Sequence, residues 1–199
     1  MNKPKRQGSF FSSSSSPIGI TNNNTEINLS KDLLTNWQKR IYKYQENLFQ
    51  LIPSNHEQGS LFPQAENTSY KTLEPLSLTP LPLSFWRWPD APHYGPAIYM
   101  VMDRLENCDS HILLYIGETL FADRRWKGEH DCKAYVASYS EALNDAGIKS
   151  QLSIRFWSDV PVNTKLRRKL EQQLIKHWLP PFNKETRARW NTPFTTELS

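Results

Sequence analysis

The chain has only two cysteines, Cys108 and Cys132, in 199 residues. Two cysteines make neither a disulfide framework nor a zinc site. No apolar run is long enough to span a membrane. Lys3, Lys5 and Arg6 stand near the N-terminus, but no apolar stretch of signal-peptide length follows them. These absences predict a soluble, cytoplasmic protein that does not interact with membranes. No internal repeat is visible, and no zinc-finger or helix-turn-helix signature. A large excess of one charge is missing too. Lys+Arg number 24 and Asp+Glu 20, giving +4, which permits a polyanionic partner without requiring one. The local balance says more. Between Lys165 and Arg189 stand Lys165, Arg167, Arg168, Lys169, Lys176, Lys184, Arg187 and Arg189, against Glu171 and Glu185 alone. That is either a phosphate-facing surface or a solvated helix face with a basic tail.

What the chain does have falls into five stretches. Residues 1–30 include the serine run Ser12 to Ser16 and the run Asn22 to Asn24. They cannot bury enough apolar surface to offset chain entropy, and disorder is expected. Residues 31–52 predict a helix with Ser30 as its cap, since Leu33, Trp37, Ile41, Tyr44, Leu48 and Leu51 recur at helical spacing. Such a stripe packs either on its own domain or on a partner protein. Residues 53–93 are proline-rich and read as an extended connector. Within them Phe85-Trp86-Arg87-Trp88 either tucks the connector against a domain or stacks on bases. A compact α+β domain is expected over 94–185. It has strands at 97–102, 112–117 and 151–157, and helices near 120–129, 133–146 and 164–179. Gly147 and Pro180-Pro181 are helix stops. Residues 186–199 read as a tail.

The first two strands carry the chemistry. Side chains alternate across a strand. Ile98, Met100 and Met102 then share one face, with Tyr99 and Val101 opposite. Ile112, Leu114 and Ile116 share a face, with Leu113, Tyr115 and Gly117 opposite. In a hairpin that pairs Met100 with Leu114, Tyr99 lies directly across from Tyr115. One face is aliphatic and suits a core, whereas the other carries two hydroxyls. Gly117 closes the second strand and lets something approach the backbone closely.

Ala97-Ile98-Tyr99, Tyr115-Ile116-Gly117 and the Arg124-Arg125-Trp126-Lys127 cluster resemble the signature of the GIY-YIG nucleases. Glu171 in Leu170-Glu171-Gln172 resembles the family's helical glutamate, and Asn183 in Pro180-Pro181-Phe182-Asn183 its asparagine. The likeness covers about residues 94–185. It departs in Ala97 for glycine, in a longer segment between the tyrosines, and in the offset of His130. It implies a three-stranded antiparallel sheet flanked by helices, and a DNA endonuclease dependent on Mg²⁺ or Mn²⁺.

Phosphodiester hydrolysis requires a deprotonated water, stabilised phosphoryl charge and a neutralised leaving oxygen. The resemblance implies Tyr99 as base, but an unperturbed phenol costs roughly 4 kcal/mol to ionise at pH 7. Arg125, Lys127 and a bound metal are the cations available to reduce that cost; if they stand too far away, hydroxide on the metal is the better nucleophile. Tyr115 would hydrogen-bond the water or a phosphate oxygen, or simply pair with Tyr99 across the strands. Arg125 would clamp phosphate, with Arg124 as its rival. His130 would tune or shuttle a proton, although it falls one residue late and helix direction turns about 100° per residue. Glu171 would hold the metal, its alternative being an ion pair with Arg167 four residues earlier. Gly117, Lys127 and Arg167 would face the substrate. Asn183 would hold a water or fix a loop. Besides the endonuclease, two readings remain: an inactive nucleic-acid-binding module of the same fold, and a protein-interaction protein working through the 31–52 helix.

Overall fold

Seven successive apolar or carboxylate side chains, Ala97 to Asp103, are buried in one strand. That pattern belongs to a central strand covered on both faces. In the computed structural model, which describes residues 30–50, 70–106, 110–127 and 131–194, β1 (Ala97–Leu105) lies between β2 (His111–Thr119) and β3 (Ser150–Trp157). Both pairings are antiparallel, in the order β2-β1-β3. Helices α1 (Lys31–Gln50), α2 (Ala122–Arg125), α3 (Asp131–Asp145), α4 (Thr164–Trp178) and α5 (Arg187–Trp190) surround this sheet. The fold class is α+β. Among the described residues no helix is long and apolar enough to cross a membrane. The expected disorder of 1–30 concerns, Ser30 aside, residues outside those described, as do Cys108 and residues 53–69 of the expected connector.

Two core clusters sit on the two faces of the sheet. Tyr99, Val101, Ile112 and Leu114 pack with α1 and α3. Ile98, Met100, Met102, Leu113 and Ile116 pack with Leu170, Leu174, Ile175 and Trp178 of α4. The hydroxyl-bearing face is therefore buried rather than open, and Tyr99 has no exposed surface. The hairpin register also differs from the Met100–Leu114 pairing. Met100 faces Ile116, Tyr99 faces Gly117, and Val101 faces Tyr115, with the register shifting between Val101 and Met102. Two causes combine. The strands run on to Leu105 and His111, so the turn is shorter than a 103–110 loop. Leu114 is an extra residue, a β-bulge, which sends Leu114 to the same face as Tyr115 and breaks the Ile112–Leu114–Ile116 alternation. Gly117 does not close β2, which continues to Thr119.

β2 is an edge strand, and its outward backbone groups must find partners. Side chains supply them. Gln45 of α1 donates from Nε2 to Leu113 O (3.0 Å) and accepts from Leu113 N–H at Oε1 (2.7 Å). Asn183 does the same for Ile116, accepting from its N–H (2.9 Å) and donating to its carbonyl (2.8 Å). Phe182 N–H donates to Leu114 O at 3.0 Å. Asn183 thus fixes β2 and does not hold water in a groove; it is 3 % exposed. Asn183→Ala would orphan two buried backbone groups. It is expected to cost about 2–4 kcal/mol, read from the midpoint of urea unfolding.

α1 buries Leu34, Trp37, Gln38, Ile41 and Gln45 against this same domain. Trp37 stacks on Phe182 at 6.1 Å, and Gln38 donates to the Tyr139 hydroxyl at 2.7 Å. Tyr139 in turn donates to buried Asp103 (2.6 Å), which also accepts from Ser150 and from Gln151 N–H. With its apolar face occupied, the 31–52 segment retains Leu33 as its exposed large apolar residue among those described. Of the two uses open to the stripe, its described residues serve the first, packing on their own domain.

The proline-rich stretch is not a free connector where it is described. Leu81 bridges to Ile154 through both backbone bonds (2.9 Å each), covering the outer edge of β3. Arg155 gathers the carbonyls of Pro75, Leu76 and Leu78 at 2.8–3.1 Å. Prolines bring no N–H to satisfy, so such a strap can lie against a sheet edge at little cost. The C-terminal stretch also folds back. α5 follows α4, and Trp190 and Phe194 enter the core.

Candidate active site

Tyr99 points from the centre of β1 across the backbone of β2 at Gly117. A Cβ on Gly117 would stand 2.4 Å from both Cζ and the hydroxyl oxygen of Tyr99. The group that approaches this glycine is therefore the phenol ring itself, not a substrate. Around the ring stand Tyr115 (5.9 Å, stacked), Trp126 (6.1 Å, edge-on) and Phe156 (6.1 Å). Arg125 closes the cluster. Its Nε donates to the Tyr99 hydroxyl at 3.0 Å, and its guanidinium lies 5.4 Å from the ring centre. The two arginines of α2 divide accordingly. Arg124 is solvated and pairs with its neighbour Asp123 at 3.3 Å, whereas Arg125 turns inward.

Glu171 comes to the same place from α4. Its Oε1 accepts from the N–H of Glu118, the residue after Gly117, at 2.9 Å. Its charge is felt at Tyr115. The alternative for Glu171, an ion pair with Arg167, does not form. Arg167 is fully buried and binds Glu118 Oε2 (2.8 Å) and the carbonyls of Pro161 and Val162. It cannot meet a substrate, because its donors point into the protein. Arg168 takes the other Glu118 oxygen at 3.1 Å. The buried stripe of α4 accordingly runs through Arg167, while Leu166 is 42 % exposed.

Burial dominates the electrostatics. It pushes the Tyr99 phenol well above its ordinary pKa, and Tyr115 adds to the rise against the pull of Arg125. Burial, then the Cys132 thiol, push Tyr115 up to about 12, with Tyr99 and Arg125 pulling it back. Ionising such a phenol at pH 7 costs about 7 kcal/mol. Burial thus opposes ionisation of both phenols, and Tyr99 as the base requires a cation beyond Arg125, such as a bound metal, to offset it. Glu171 is pushed up to about 7, chiefly by burial and then by Glu118 and Glu185, against its bond from the Glu118 N–H and the charge of Arg168.

The structure thus brings Tyr99, Tyr115, Arg125, Gly117 and Glu171 together. Lys127 is exposed and lines a neighbouring cleft with Trp86 and Trp88. His130 lies outside the described residues. Sequence reasoning missed Glu118 and Cys132. Glu118 becomes visible once β2 is carried past Gly117, since alternation then aims an acid at Arg167-Arg168. Cys132, 1 % exposed beside the phenols, leaves no comparable signal.

Among the described residues no group of three or more His, Cys, Asp or Glu could hold a metal ion. The donor set is one carboxylate with Oε2 unbonded among those residues. That suits a hard ion that keeps several waters and takes substrate phosphate oxygens, and does not suit an all-protein cage. No family model, curated protein or solved structure matches this chain.

Proposed function

We propose that the protein is a DNA endonuclease of the GIY-YIG type, hydrolysing phosphodiester bonds with Mg²⁺ or Mn²⁺. The observation that carries this reading is the meeting of Arg125, two neutral phenols and a desolvated Glu171 around Gly117. A divalent ion bound at Glu171 would supply Lewis acidity to water and to the departing oxygen. The chain's own groups do the rest. Arg125, engaged through Nε alone among the described residues, keeps its terminal nitrogens for a phosphate oxygen. The Arg125–Tyr99 bond fixes that guanidinium before substrate arrives. Tyr115, partly exposed, donates a hydrogen bond to a phosphoryl oxygen or to the attacking water and keeps its proton. The water oxygen bonds to phosphorus as the P–O ester bond breaks; the water gives one proton to solvent, and the departing alkoxide takes one from solvent.

Arg125→Ala and Glu171→Ala are expected to lower Mg²⁺-dependent cutting of plasmid, flap or branched DNA by at least about 100-fold, while DNA binding persists. Retained cutting in either variant sinks the reading. A second reading, an inactive nucleic-acid-binding module, is favoured by the high pKa of both phenols. Binding without cleavage in any divalent metal would select it.

A further inference from the structure

Beside the candidate site stand large rings that the core does not use. Trp88, Tyr94 and Phe121 are 46 %, 67 % and 51 % exposed. Exposed rings scattered singly need no explanation, but these are joined. Trp86, Trp88 and Tyr94 line one cleft of about 130 Å³ with Asp123 and Lys127. The N–H of Ala122, next to Phe121, donates to Gly95 O at 2.9 Å, tying the ring-bearing strap to α2. Phe85 anchors the strap from within, packed edge-on against Phe156 at 5.4 Å. The run Phe85-Trp86-Arg87-Trp88 therefore does both things open to it: Phe85 plugs the core with Trp86 packed partly buried against it, and Trp88 faces outward.

Cations interleave with these rings. Arg87 stands 5.0 Å from the Trp86 ring centre and Lys133 5.7 Å from the same ring. Arg124 lies 5.4 Å from the Phe121 ring. Flat π faces alternating with cations match a strand of unpaired nucleotides, whose bases stack while its phosphates are neutralised. Asp123 is the acid in the cleft, and a carboxylate there can accept from an exocyclic base amine. A duplex hides its base faces and could use only the cations.

We propose that Trp88, Tyr94 and Phe121 form a stacking platform for unpaired DNA nucleotides, leading a single strand toward Arg125. Its place in catalysis rests on the nuclease reading, but binding to it requires no cutting.

The test uses the full chain in EDTA, with fluorescence anisotropy of a labelled deoxyoligonucleotide, single-stranded or as its blunt duplex. The Trp88→Ala/Tyr94→Ala double variant should weaken single-strand binding about tenfold and leave duplex binding nearly unchanged. Trp88→Phe/Tyr94→Phe should keep wild-type binding. Equal loss on both DNA forms, no loss on either, or no binding by the wild type overturns the platform. If the double variant unfolds, Phe121→Ala carries the same comparison. Repeating the assay in Mg²⁺ separates the two ideas. Single-strand preference without cutting defeats the nuclease alone, whereas cutting without that preference defeats the platform alone.

Discussion

Gly117→Ala is expected to unsettle both the fold and the candidate site. The added methyl would stand 2.4 Å from the Tyr99 ring and hydroxyl, which no pair of carbons tolerates. The ring has no room to retreat, since Tyr115, Trp126 and Phe156 surround it and Arg125 holds its oxygen. Overpacking of this kind costs about 2–3 kcal/mol, a fall of roughly 10 °C in the thermal midpoint. Any DNA cutting should fall further than stability explains, because displaced Tyr99 no longer orients Arg125. A double-mutant cycle isolates the cause. In a Tyr99→Leu background the same alanine should cost little. If its cost is unchanged there, the clash is not the reason for glycine.

Glu171→Gln should make the protein more stable and less active, with a definite pH dependence. Folded Glu171 has a pKa of about 7 against an ordinary 4.5, mainly from burial. Below pH 4.5 the group is neutral in both states and the substitution changes little. Between 4.5 and 7 the unfolded chain releases its proton while the folded one keeps it, so stability falls as pH rises. Above about 7 the full cost of a desolvated carboxylate is present. Allowing for the partial exposure of Glu171, that is on the order of 2 kcal/mol. Glutamine escapes the cost and can still accept from the Glu118 N–H. Thermal melts should therefore favour Glu171→Gln at pH 8 and converge at pH 4. Mg²⁺ should raise the wild-type midpoint at pH 8 and not that of the variant. A variant melting no higher than wild type at pH 8 would show that Glu171 is not held in a desolvated place.

How much of this could be read in advance depended on the range of the forces involved. Helices such as 31–52 and 164–179, found at Lys31–Gln50 and Thr164–Trp178, follow from local periodicity and from breakers such as Pro180. The three strands follow from alternation. The register of β1 on β2 did not, because the bulge at Leu114 is set by the turn and by what packs above it. The burial of Arg167 was hidden for a related reason. A cation on a basic helix reads as solvent-facing unless its acceptors, Glu118 and two carbonyls far from periodic positions, are known. The proline-rich strap looked free because Arg155 and Leu81 hold it by bonds that leave no sequence pattern. For the site, Tyr99, Tyr115, Arg125 and Glu171 could be named from motif order. How strongly burial would oppose ionisation of the phenols could not, since desolvation is a property of the whole packing around them.

Both flanks of the sheet are finished by residues upstream of the nuclease-like motifs: Gln45 on one side, Leu81 on the other. Isolating the stretch from residue 94 onward would remove both, leaving β2 to Asn183 and Phe182 alone and β3 with an uncovered border. Such a fragment would offer that border to its own copies, a template for intermolecular sheet growth. Helix α1 and the strap therefore belong to the same folding unit as the strands they cover.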